Sequence, residues 1–136
     1  MAFPAADHVE ILNLLATYNH AIDYNDPEAW ADCFTADGVF DARPVTHSRG
    51  REELMAFVTA SSGGTRHWTT NPLIHVDGDT ATLDLYLMTV TPGQAVGDAP
   101  QPGVTGRYHD ELVRVNGAWK IKHRKLDFDV APKGFE

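Results

Sequence analysis

The chain has 136 residues, 43% hydrophobic and 22% charged, which predicts one domain over 1–136 with a sizeable buried core. Its formal net charge of -8, with no basic cluster outside 120–125, argues against nucleic acid and anionic membrane as partners. The one cysteine, Cys33, excludes an internal disulfide and fits a reducing cytoplasm; the sequence shows neither a signal-peptide pattern nor an apolar run of ~18 residues.

The first predicted element is an amphipathic helix from Asp7 to about Tyr24. Asp7 is its expected N-cap, and Glu10 stands at the capping-box spacing. Asp26 then caps a short second helix with Pro27 at its first position. Trp30, Cys33 and Phe34 share one face of it and are expected in the core. Residues 35–38 read as a turn and 39–42 as a short strand. Residues 43–47 carry no strong pattern. Ser48 or Gly50 opens a third helix over 51–59, with Leu54, Phe57 and Val58 facing inward.

From Arg66 the hydrophobic period changes from 3.6 to 2. Residues 66–76 read as a strand, and Pro72 assigns it to an edge or a bulge. Asp77-Gly78-Asp79 is a hairpin turn, followed by a long strand over 80–91 whose odd positions are apolar. Residues 92–103, rich in Pro and Gly, read as a long loop. A strand over 105–115, an Asn116-Gly117 hairpin and a last strand over 118–130 complete the chain. In that last strand the apolar positions are odd at Trp119 and Ile121 but even at Leu126 and Phe128. The switch predicts a β-bulge near 123–125. Helices followed by an antiparallel meander predict an α+β fold, with helices on one face of a curved sheet and a ligand space between them.

Asp23 is the residue that least fits a plain scaffold. It stands in the last turn of the first helix, where exposed carbonyls already make the end electronegative. It lies about 80° from Leu15 on the helical wheel, beside the apolar stripe. A carboxylate there needs a cationic or hydrogen-bonding partner, and His67 is the proposed one. The alternative is a solvated residue before the turn Asn25-Asp26-Pro27.

Several stretches resemble the SnoaL-like proteins of the nuclear-transport-factor-2-like superfamily. They are Tyr18 to Asp23, the Pro27 helix with Trp30 and Phe34, Asp37-Gly38-Val39-Phe40, Gly50-Arg51-Glu52-Glu53-Leu54, and Arg66-His67-Trp68-Thr69-Thr70-Asn71-Pro72. Val76-Asp77-Gly78-Asp79-Thr80-Ala81, Gly106-Arg107-Tyr108-His109-Asp110-Glu111 and Gly117-Ala118-Trp119-Lys120-Ile121 complete the set. The branch is similar to scytalone dehydratase, hexachlorocyclohexane dehydrochlorinase and the bile-acid dehydratases. The resemblance implies a cone-shaped α+β barrel, its curved antiparallel sheet wrapped around N-terminal helices and enclosing an apolar pocket. It also implies a catalytic dyad of Asp23 and His67, with Tyr18 as a further catalytic residue. Arg124 would match a basic residue on the last strand, and His109 would fall near a histidine of scytalone dehydratase.

A His–Asp pair suits proton abstraction. Neutral imidazole is a competent base near pH 7, and a carboxylate on one ring nitrogen fixes the tautomer and stabilises the imidazolium. No H-x-H or H-E-x-x-H pattern or second cysteine occurs, so no metal is expected, and no cofactor either. Cys33 reads as a buried core residue rather than a nucleophile. Arg124, Tyr108, Trp68, Phe40, Trp30 and Asn71 are the expected substrate-binding residues; a bulge would turn Arg124 toward the cavity mouth, against the alternative of an exposed strand arginine. Two functions follow: a cofactor-free lyase or isomerase acting on a small apolar or cyclic molecule, or a non-catalytic ligand-binding module or partner subunit. The uncovered outer face of the sheet predicts a homodimer or homotrimer.

Overall fold

The structure, a computed structural model, describes residues 4–136. Helix α1 (Ala5–Asp23) leads into α2 (Pro27–Asp32), followed by β1 (Phe34–Ala42), β2 (Thr46–Arg49) and α3 (Gly50–Ala60). Four long strands follow: β3 (Arg66–Asp77), β4 (Thr80–Thr91), β5 (Gln101–Val115) and β6 (Ala118–Phe128). All six strands form one curved sheet in the order β2-β1-β6-β5-β4-β3. Neighbours are antiparallel except β1 and β6, which run parallel. The helices lie on the concave face, and the fold is α+β as the chain order predicted. The sheet does not close: β2 and β3 are free edges, so the expected barrel is an open half-cone.

Period-2 burial organises the sheet. In β4, Ala81, Leu83, Leu85 and Leu87 are buried. In β5 the even residues Tyr108, Asp110 and Leu112 are buried. In β6 the buried set passes from Trp119 and Ile121 to Arg124 and Leu126. Its cause is a bulge at Lys122: Leu112 pairs with Ile121 while Glu111 pairs with His123, leaving one extra residue on β6. The sequence expectation placed this bulge one residue later. Pro72 lies on the edge strand β3, at a register break between Thr70 and Leu73, where Asn71 has φ 57°.

Four expectations are corrected. Helix α1 begins two residues early, at Ala5, with no side-chain cap. Asp7 instead accepts hydrogen bonds from Arg114 Nη2 at 2.7 Å and Trp119 Nε1 at 3.1 Å. A charged partner from the β5–β6 hairpin outcompetes a backbone N–H for this carboxylate. Residues 35–38 belong to β1, whose register with β6 slips between Phe34 and Val39. The end of the patternless stretch 43–47 joins Ser48 and Arg49 in β2 because β1 offers a free edge, so Gly50 rather than Ser48 opens α3. Finally β5 starts at Gln101, inside the expected loop, where it pairs with Thr91 of β4.

Candidate active site

The end of α1 is held by a complete Schellman motif. Asn25 takes the left-handed conformation (φ 55°), its N–H donates to the Ile22 carbonyl at 3.3 Å, and the Asp26 N–H donates to the Ala21 carbonyl at 2.8 Å. Asp26 then caps α2 by accepting from the Ala29 N–H, as its position in the sequence predicted. The Asn25 amide donates to the Ser61 carbonyl at 3.0 Å, which ties this corner to α3. Asp23, the last residue of α1 and two residues before Asn25, therefore has a defined direction.

It points at the first residues of β3. Oδ1 of Asp23 lies 2.6 Å from Nδ1 of His67. Both carboxylate oxygens also accept from the His67 backbone N–H, at 3.1 and 3.2 Å. These bonds replace solvation for a carboxylate only 9% exposed at a helix end that disfavours it. A carboxylate can only accept, so a neutral ring that meets Asp23 at Nδ1 carries its proton there and keeps the Nε2 lone pair free. A side chain 20% exposed can still meet a ligand.

The pair lines a groove of about 1030 Å³ between α1 and the β3–β4 edge. Leu12, Ala16 and Asn19 form its helical wall; Thr69, Asn71 and Leu87 contribute from the strands. Arg66 and Tyr24 stand at one end, the guanidinium 5.2 Å from the ring centre. A smaller recess of about 260 Å³, lined by Ile22, Phe57, Thr65 and Thr89, reaches His67 as well.

Of the expected site residues, Asp23, His67, Trp68 and Asn71 line the groove, Trp68 with 60% of its surface exposed. Tyr18, Trp30, Phe40, Tyr108 and Arg124 do not. They pack together in the core behind it, each at 4% exposure or less. Arg124 stands neither at a cavity mouth nor in solvent, the two positions open to it from sequence. Its guanidinium lies 3.8 Å from the Tyr108 ring centre and 4.4 Å from that of Tyr18. Asp110 receives it in a fork, Nε to Oδ1 at 2.8 Å and Nη2 to Oδ2 at 2.6 Å. Burial works against the Arg124 charge, and Asp110 outweighs it, holding the guanidinium protonated. Burial pushes the Tyr18 and Tyr108 phenols upward, with Arg124 opposing it in both. Nη1 of Arg124 and Nε1 of Trp30 find no acceptor among the described residues.

Sequence reasoning missed Asp110. The signal was present, because it shares the inward parity of Tyr108 and Leu112. Asn19 and Thr69 were missed too, having no charge to mark them. His109 lies on the outer face of the sheet, between Asp84 and Asp127, away from the dyad. Burial pushes the Cys33 thiol up to about 11, in keeping with a core residue.

Comparison with known proteins places this geometry in a family. Rv2910c of Mycobacterium tuberculosis strain H37Rv, an uncharacterized protein, is 30% identical over 124 residues, covering 88% of this chain and 83% of its own length. The structure of Rv3472(D26N), a function-unknown protein of Mycobacterium tuberculosis, superposes with a TM-score of 0.83 at 32% identity over 95% of this chain and 78% of that one. A candidate scytalone dehydratase from Novosphingobium aromaticivorans has the same fold, with a TM-score of 0.77 at 23% identity over 97% of this chain and 96% of its own. Residues 4–125 match the SnoaL-like domain, and the chain belongs to that family.

Proposed function

We propose that the protein is a cofactor-free lyase or isomerase that removes a proton from carbon on a small apolar or cyclic molecule, with loss of water as the favoured outcome. His67 is the base. Its Nε2 takes the proton, the C–H electrons form the new double bond, and the departing hydroxyl leaves as water with the proton returned by the imidazolium. Asp23 holds the proton on Nδ1 and compensates the charge that develops on the ring. The observation that carries this reading is the 2.6 Å approach of His67 Nδ1 to Asp23 Oδ1 inside a groove large enough for a ring-shaped ligand.

A second reading, a non-catalytic ligand-binding module or partner subunit, draws support from the filled interior. Tyr18, Trp30, Tyr108 and Arg124 occupy the space behind the dyad. Incubation with a panel of cyclic β-hydroxy ketones, followed by mass spectrometry for the loss of one water, separates the two. The lyase reading expects turnover by the wild type and none by His67→Gln or Asp23→Asn variants of unchanged fold. Equal turnover by His67→Gln sinks it; binding of the panel without any turnover favours the second reading.

A further inference from the structure

Beside the dyad runs a second polar pair of the same geometry. Asn19 precedes Asp23 by one helical turn, and Thr69 follows His67 by two strand residues, so each shares the face of its neighbour. The Asn19 amide donates from Nδ2 to Thr69 Oγ1 at 3.1 Å, and both residues line the groove. By repeat lengths alone the pair lies about 5–7 Å along the groove from Asp23 and His67.

The bond uses the Thr69 oxygen as acceptor. That leaves the single hydroxyl proton to donate elsewhere, and among the described residues it meets no acceptor. Thr69 is only part-buried, so this donor is open to the groove. The arrangement has a cost. The other end of the amide, Oδ1 of Asn19, is buried without a partner, which costs about 1–3 kcal/mol. Folding alone does not require this amide, since an apolar side chain on α1 would avoid the penalty. An uncompensated buried acceptor whose amide orients a free hydroxyl beside a candidate base points to a ligand contact.

We propose that Thr69 donates a hydrogen bond to the carbonyl oxygen of the ligand, with Asn19 as the positioning residue that directs the hydroxyl. The assignment deepens the lyase or isomerase reading and rests on it. It narrows the ligand class to carbonyl compounds whose acidic C–H adjoins the C=O. When His67 removes that proton, negative charge moves onto the carbonyl oxygen, and a hydrogen bond at that oxygen strengthens. The electron pair of the C–H bond becomes the enolate double bond; the proton rests on Nε2.

Two matched bicyclic probes test this, 2-tetralone with a carbonyl and tetralin without one. The wild type is expected to bind 2-tetralone about tenfold more tightly than tetralin. In the infrared, the C=O stretch of bound 2-tetralone should lie at lower frequency in the wild type than in Thr69→Val, with Thr69→Ser restoring the shift. Asn19→Leu should retain the fold and lose part of it. An unchanged band in Thr69→Val, equal affinity for the two probes, or binding of neither overturns the proposal. The dyad reading fails separately. It requires the wild type to catalyse deuterium exchange at the α-carbon of 2-tetralone in D2O and His67→Gln not to. A band shift without that exchange leaves the carbonyl contact standing and removes the base.

Discussion

Asp110 and Arg124 face each other directly across β5 and β6, and neither side chain has any solvent exposure. Each charge is tolerable in the core only because of the other. Replacing Asp110 with Asn should destabilise the fold by about 3–5 kcal/mol, because it leaves a buried guanidinium uncompensated. The double variant Asp110→Leu/Arg124→Met should recover most of that loss. Urea denaturation of the two variants and the wild type measures both effects. Equal stability of Asp110→Asn and wild type would show that the pair contributes nothing.

The dyad makes a prediction independent of any substrate. In the wild type the neutral His67 ring should carry its proton on Nδ1, with Nε2 bare, because Asp23 can only accept there. Nitrogen-15 chemical shifts of the imidazole report the tautomer directly. In Asp23→Asn the amide can present its NH2 to the ring and move the proton to Nε2. A base with its lone pair turned away should lose about 10⁴-fold in rate. An Nε2-protonated ring in the wild type would rule out the proposed base.

Acid stability should depend on Asp41. Arg43 closes a fork on its carboxylate, Nε to Oδ1 at 2.9 Å and Nη2 to Oδ2 at 2.8 Å. The side-chain hydrogen bond from Arg43 is the main cause that holds the Asp41 carboxyl down at about 2, below its ordinary 3.8. A folded value below the unfolded one means stability that is fully present above about 4 and lost as the pH falls toward 2. Asp41→Asn should flatten that limb of the stability–pH curve, measured by denaturant melts from pH 5 to 2. An unchanged slope would exclude the pair as its source.

Among the described residues no helix covers the convex face of the sheet, which by strand register carries Trp68 and Tyr86, 60% and 50% exposed, at the β3–β4 edge where it meets the groove that both also line. We propose that a second or third copy covers it. Light scattering should then give a particle of at least twice 15.0 kDa, and Trp68→Ser should weaken the assembly. A 15.0 kDa particle across the micromolar range would exclude self-association.

No helix among the described residues is long and apolar enough to cross a membrane. The fold was legible wherever side chains alternate or repeat locally. The odd apolar positions of β4, the Asn116-Gly117 hairpin and the Asp26-Pro27 helix start depend on neighbours within a few residues, and the structure reproduces each. The parity switch in β6 even located its bulge to within one residue, since a side chain's face follows from counting along the strand. The Asp23–His67 pairing was legible through the resemblance together with an ill-placed carboxylate.

What tertiary structure alone decided are choices of partner across long separations. Asp7 left its capping role for Arg114, 107 residues away in sequence, because a guanidinium binds a carboxylate more strongly than one amide does. Residues 46–49 became a strand only because β1 presented an edge. Arg124 lies inward because of the bulge, but whether it met a cavity or a carboxylate depended on Asp110, on a different strand. Asn19 and Thr69 carry no signal of their own; only the packing of α1 against β3 brings an amide and a hydroxyl together beside the dyad. Local sequence sets which face a side chain takes, while the free energy of burying a polar group sets whom it must meet there.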